Sequence, residues 1–410
     1  MNIASDVKTG IRRAIRNPRR RGNIIVLSAV LMVFIVGIMA FTIDVGYLCM
    51  ARSQAQNCAD AAALAAGLEM VSNARLKENT STLIARATQK ARDYGAVQDI
   101  NHSVISSDLD GPGEVIESVS FGRLENPSNI NEPMSFSDPN HPNAVRVQVT
   151  CDPERNTAVP LFFARIFGMD TSQISASATV TFSSGSTVGF EVPENGPPCT
   201  LMPFVINEDD WDNMLAGSGE DNWSYNPDTG AVTAGPDGIR EIKMFPDKDN
   251  GNHGNGNNHG QNSGITPGNF GLVDIGPSHG VPAIREQITN GPSHEDLEPY
   301  GGSLELDPVT GTLEIGGEPG IKAGIKDAVA NVIGLPKTIM LYNDAVGQGA
   351  NTTFTVCRFV GVRVMDYRLT GSASSKYILV QPAMVQDPTA VTGGEGNTSD
   401  FVGQPIQLVR

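Results

Sequence analysis

Residues 24–43 read IIVLSAVLMVFIVGIMAFTI, and residues 44–71 continue DVGYLCMARSQAQNCADAAALAAGLEMV. The first stretch carries no charge, and Ser28 and Thr42 are its only conventionally polar residues. At about 1.5 Å of rise per residue, a helix of that length covers roughly 30 Å, the hydrocarbon thickness of a bilayer. A transmembrane helix over 23–43 is therefore expected. Uncharged runs this long are rare in soluble cores. A cleaved signal peptide has a shorter apolar run, of roughly 7–15 residues, and ends in an A-x-A-like site, for which Ile38-Met39-Ala40 is a poor substitute. The Gly22/Asn23 junction does not suit prepilin-type processing either, because Leu27 stands where an acidic residue is needed.

Outward from the span, the charge splits. Residues 1–22 hold Lys8, Arg12, Arg13, Arg16, Arg19, Arg20 and Arg21 against Asp6, a net of +6. The 410-residue chain carries −16 in all, so residues 23–410 carry −22. Basic residues mark the cytoplasmic flank of a span. The six arginines thus set the topology: N-terminus in the cytoplasm, acidic body in the periplasm or outside the cell. The basic segment is expected to lie against anionic headgroups of the cytoplasmic (inner) membrane. The acidic body argues against nucleic acid as a partner. With 40% hydrophobic residues the chain can build packed cores, and its length fits two or three domains. Five cysteines are too few for a disulfide scaffold.

Beyond the span, residues 44–95 contain no proline and favour helix. Ala51, Ala55, Ala59, Ala63 and Gly67 recur at every fourth position, along one helical stripe. Such a smooth face lets another backbone approach closely. It belongs either to packing within the chain's own domain or to a partner subunit. Cys49 and Cys58 lie on opposite sides of one helix and cannot bridge each other there. Asp44 sits where the span meets water, as an ordinary interfacial residue or as a polar handle for a partner helix. Asp60 is expected in solvent, and Arg52 could reach it only across two subunits. Asp44, Gly46, Ala51, Ala55, Ala59, Asp60, Ala63 and Gly67 make up the expected membrane-anchor and partner-helix face.

These residues carry a resemblance. Arg21-Gly22-Asn23, the span ending Ile43-Asp44-Val45-Gly46-Tyr47, then Arg52, Gln54, Gln56 and Asp60-Ala61-Ala62-Ala63-Leu64-Ala65-Ala66 resemble the N-terminal region of TadG-like proteins. Those proteins are associated with Flp pilus assembly in the bacterial tight-adherence (Tad) secretion system. The resemblance covers residues 20–68, and Asn143–Val149 with Val159–Gly168 is also similar to the TadE/TadG group. It implies a non-enzymatic, membrane-anchored scaffold of the cell envelope whose partners are other pilus or Tad subunits. Many members carry a von Willebrand A-type domain with a D-x-S-x-S metal site; that motif does not occur here, which argues against metal-dependent adhesion.

Further along, 115–122, 144–151 and 174–182 alternate apolar with polar residues and predict three half-exposed strands. PLFFARIFG at 160–168, between the last two, reads as helical. A Gly/Pro-rich break at 192–198 is the expected boundary to a second domain. Strand-like runs there fall at 201–206, 239–245, 272–275, 303–306, 338–341, 353–364 and 377–380, with helical segments near 209–215, 283–288 and 321–333. The fold class is thus α+β: a transmembrane helix extending into a long helix, then two mixed α/β exported domains, the second strand-rich. The segments are 1–22 (basic, cytoplasmic), 23–43 (span), 44–95 (Ala-rich helical region), 96–192 (small α+β domain) and 198–410 (strand-rich). Residues 247–264, DKDNGNHGNGNNHGQNSG, have no apolar residue and predict a flexible loop.

Little chemistry is on offer. The 247–264 loop starts like a calcium loop, but Asn252 and Asn258 occupy the positions of the required glycine and acidic ligand. Gly276-Pro-Ser278-His-Gly280 matches G-x-S-x-G between a strand-like run and a helical one, which makes Ser278 the candidate of a rival reading, a tethered envelope hydrolase. That fold needs an acid and then a histidine after the serine, and no histidine follows Asp344 or Asp366. Gly291-Pro-Ser-His294 repeats the tetrapeptide, as paired turns around one helix do. A third reading is a surface binding module. Neither catalytic residue, cofactor, metal nor small-molecule substrate is expected. Cys151–Cys199 is a candidate disulfide in an oxidising compartment.

Overall fold

The computed structural model describes residues 24–97, 115–124, 133–138, 142–155, 157–182, 187–244, 269–320, 322–371, 375–393 and 398–409. Arg12, Arg13, Arg16, Arg19, Arg20 and Arg21, and the loop 247–264, lie outside these residues.

Helix α1 runs without a break from Ile24 to Met70. Ala is its commonest residue, and it contains no proline, so nothing in its interior interrupts the backbone ladder. It stops at Val71, where Ser72 accepts a hydrogen bond from the Ala74 N–H and caps a short 3-10 turn, Asn73–Leu76. Asn79 then accepts from the Thr82 N–H at 2.9 Å and starts α2, Thr80–Val97, which returns along α1. The expected helical region 44–95 is therefore a hairpin of two helices.

The hairpin lies on an antiparallel sheet of β1 (Ile116–Gly122), β2 (Ala144–Cys151) and β3 (Ile174–Thr181), with Gln407–Leu408 added outside β3. The three strands stand where alternation placed them. Their inward side chains, Val145, Val147, Val149, Ala178 and Val180, are buried against Ala59, Ala62, Ala63 and Ala66 of α1 and Ala87 and Ala91 of α2. Alanines expose little area to bury, so this interface depends on close approach. Gly95 shows how close: a Cβ there would stand 2.4 Å from Ile116 Cδ1, and one on Gly67 would stand 2.8 Å from Val180 Cγ1.

The rest of the chain builds a second, strand-rich body. Its strands are β4 (Leu201–Asn207), β5 (Asn269–Val273), β6 (Leu313–Pro319), β7 (Pro336–Val346), β8 (Thr353–Arg368) and β9 (Tyr377–Pro382). β8 pairs with β6, β6 with β5, β5 with β4, β4 with β7 in parallel, and β7 with β8 again, so the pairing closes into a ring. Phe190 and Phe359, both fully buried, meet edge to face with ring centroids 5.2 Å apart. Helix α3 (Glu208–Leu215) is pinned to β8 by Arg358, which reaches Asp212 at 2.7 Å and Asp400 at 3.2 Å.

Several expectations change. Among the described residues of 239–245 only Ile242–Lys243 is strand, and those of 321–333 form a 3-10 turn, Ala323–Ile325, followed by helix Lys326–Asn331. The segment 160–168 is not an α-helix. Val159–Pro160 pairs with Thr171–Ser172, and the hairpin loop holds one 3-10 turn, Ala164–Phe167. Cys151 and Cys199 are buried in two different cores, and all five cysteines are free thiols. The bodies also interleave. Thr187–Glu191 pairs with Ser303–Glu305 and Ala390–Thr392, and Gln407–Leu408 returns to β3. The tip of the helical hairpin meets the second body too, with Asn73 Oδ1 accepting from the Met384 N–H at 3.2 Å and Lys77 donating to the Asp237 carbonyl.

Candidate functional site

Asp44, the first residue after the apolar run, is 5% exposed although its helix neighbours Ile43 and Val45 point outward. Its carboxylate accepts from three successive backbone N–H groups: Phe162 at 2.9 Å, Phe163 at 3.1 Å and Ala164 at 2.7 Å. These are the free donors at the start of the 3-10 turn, where an anion is the natural partner. The turn is shaped by the short pairing Val159–Pro160 with Thr171–Ser172, and by Gly168, whose φ of +82° closes it. One helical turn on, Tyr47 packs edge to face on Phe162 with centroids 5.2 Å apart. Asp44 is thus a handle, but for a loop of its own chain 118 residues away.

The turn that it holds is apolar on the outside. Phe162, Phe163, Ile166, Phe167 and Met169 are all exposed, Ile166 and Phe167 by about four-fifths of their surface. The sequence carried a signal for this cluster, since a helical reading of 160–168 gathers its aromatic residues. What it could not show was the partner of the turn's backbone.

The other expected site residues divide between two environments. Ala51, Ala55, Ala59 and Ala63 are fully buried, and Gly67 is buried against Val180. The stripe is thus covered by the chain itself, the intramolecular one of the two alternatives. Gly46 is exposed, with open space where a Cβ would stand. Asp60 is half-buried and accepts from Gln56 Nε2 at 2.8 Å, while the same amide reaches the Ser177 carbonyl at 3.1 Å and ties α1 to β3. Arg52 stays exposed. Above Asp44, residues 25–43 have large aliphatic and aromatic side chains exposed all round, among them Phe34, Ile38 and Phe41. The helix is long and apolar enough to cross a membrane.

In the second body, Gly276–Gly280 and Gly291–His294 are turns at the two ends of α4 (Val281–Asn290). Gly280 precedes the helix and Gly291 ends it, both at positive φ. Ser293 caps the next helical turn in a capping box with Asp296. Ser278 is exposed, and its neighbour His279 turns its Nδ1 to Asp274 Oδ2 at 2.5 Å. Burial pushes the Asp274 carboxyl up from its ordinary range, against the downward pull of His279. His294 Nδ1 is 2.9 Å from the Val192 carbonyl. Among the described residues, no group of three or more His, Cys, Asp or Glu side chains converges to hold a metal ion.

Residues 22–74 match the family profile described as Flp pilus-assembly TadE/G-like, and residues 49–179 match that described as Tad-like Flp pilus-assembly. Together the matches run from the apolar helix through the hairpin and into β3, and they include Asp44 and the 162–169 turn. No curated protein and no solved structure matches the chain.

Proposed function

We propose, for a chain whose residues 22–179 match Tad-family pilus-assembly profiles, a scaffolding role as a membrane-anchored, TadG-like component of the Flp pilus and tight-adherence machinery. The observation that carries this reading is the build of the family-matched part: one helix, apolar and unpacked over 25–43, continues into a body to which it is packed and hydrogen-bonded. The protein sits in the cytoplasmic membrane with a single pass. Its basic N-terminal segment faces the cytoplasm, and both bodies face the periplasm or the outside.

Its partners are other pilus or Tad subunits. Because Ala51, Ala55, Ala59 and Ala63 are covered within the chain, the surface left for a partner helix is the span itself together with exposed positions such as Gly46. Its role is non-enzymatic, a reading supported by the pilus-assembly family match and by the lack of a histidine after Asp344 or Asp366 to complete an acid-then-histidine order behind Ser278.

Deletion of the gene is the test. Pilus assembly, adherence and secretion are expected to fail and to return with the full chain; unchanged pili and adherence would sink the proposal. An active-site serine probe applied to the full chain is expected to leave Ser278 unlabelled. Cysteine-labelling of the intact cell, with reporters at the two ends of the span, checks the orientation.

A further inference from the structure

We propose that the turn 162–169 is a second membrane contact: Phe163, Ile166, Phe167 and Met169 enter the interfacial layer of the leaflet from which the span emerges, and Asp44 holds them at that depth. The proposal rests on the anchored reading above. It extends that reading from a tether to a body seated on the bilayer.

Position is the first argument. Asp44 directly follows the apolar run, so it marks the level at which the hydrocarbon ends. The turn is hydrogen-bonded to that one carboxylate through Phe162, Phe163 and Ala164, so its exposed side chains lie at the same level. A bilayer that surrounds Phe34, Ile38 and Phe41 also reaches the turn.

Backbone chemistry is the second. Irregular backbone is costly near hydrocarbon because its amides find no water. Here donors at seven positions are satisfied from within: Leu161 N–H by the Asp170 carbonyl at 2.9 Å, 162–164 by Asp44, Ile166 by Phe163 at 3.1 Å, Gly168 by Arg165 at 3.0 Å, and Met169 by Ala164 at 3.2 Å. The carboxylate thereby removes the feature that would otherwise keep this loop in water.

Composition is the third. From Leu161 to Met169 the only charge is Arg165, which is exposed and suited to lipid phosphates at the headgroup level. Tyr47, stacked on Phe162, supplies the amphipathic ring that interfaces favour. Large apolar side chains beside one cation, on a rigid turn at the end of a span, fit an interfacial anchor.

The full chain, reconstituted in phosphatidylethanolamine/phosphatidylglycerol vesicles, carries the test. Phe167→Trp reports on the turn, Phe34→Trp on the span and Val309→Trp on an exposed turn of the second body. The unsubstituted chain corrects for Trp211 and Trp223. Lipids brominated near the headgroup end of the acyl chain are expected to quench Phe167→Trp, with a blue shift, lipids brominated near the chain terminus to quench Phe34→Trp, and neither to quench Val309→Trp. Quenching of Phe34→Trp without Phe167→Trp overturns the second contact and leaves the anchor standing. Quenching of neither removes the anchored reading, and this proposal with it. Ile166→Trp, equally exposed, repeats the measurement so that one poorly folded variant does not decide it.

Discussion

The two halves of α1 share one unbroken helix but face opposite surroundings. Over 25–43 the side chains are Ile, Val, Leu, Met and Phe, and nearly all are exposed; over 51–70 they are largely Ala, and the inner face is fully buried. Side-chain size is what separates them. Large aliphatic groups repay contact with lipid through area. Alanines instead let the helix axis approach a second helix and a sheet, and gain from dense packing. The second half also carries Arg52, Asp60 and Glu69 outside its inner face; on that inner face, as uncharged as the span, size tells a protein contact from a lipid one.

Two cysteines straddle the border and offer the largest contrast. Cys49 is exposed, whereas Cys58, nine residues on, is buried beside Gly95, and burial pushes its thiol up to about 12. At pH 8, below that value, Cys58 is almost wholly the unreactive thiol, and its thiolate fraction grows only as pH rises toward 12. Cys151 and Cys357 are raised to about 11 and about 12 for the same reason, burial. Mass spectrometry after brief alkylation of the folded chain is expected to find Cys49 modified and Cys58 not; equal labelling would erase the border.

Overpacking is next. Ala59→Leu or Ala62→Leu forces new methylenes between α1 and the sheet and is expected to cost about 1–3 kcal/mol, or more if the hairpin cannot shift. Denaturant unfolding in detergent measures it. Gly95→Val meets Ile116 Cδ1, a movable side-chain end, so its cost is expected at the lower end of the same range, about 1 kcal/mol. Asp44→Ala leaves the amides of 162–164 without their acceptor, and hydrogen exchange there should speed up while amides in 59–66 keep their protection. The smallest effect belongs to the span: Leu31→Ala should change the unfolding of the body by less than about 0.5 kcal/mol.

How much of this was legible depends on how local each cause was. The span could be read because an uncharged run of this length has one common meaning, and β1, β2 and β3 because a sheet with one buried face writes its period into the sequence. The stripe at Ala51–Gly67 was legible as a packing face, but small residues fit a sheet, a neighbouring helix or another subunit equally well. The ring from β4 to β8 escaped for a different reason: each strand was recognisable, but parallel pairing of β4 with β7 joins residues more than a hundred positions apart. Asp44 is the sharpest case. A lone carboxylate at the end of a span looks like any interfacial acid, and nothing near it in sequence announces that three backbone donors at 162–164 will come to it.

Because α1 continues unbroken past the membrane border, and the turn at 162–164 locks onto it at Asp44, no swivel lies between span and body. At about 1.5 Å per residue, the 27 residues from Asp44 to Met70 form a strut of about 40 Å. A body carried on a strut cannot drift about its tether. It holds one height and one bearing above the lipid, so rotation or tilt of the span within the bilayer is delivered to the far face of the protein as a lever delivers it, with the displacement magnified by the length of the arm.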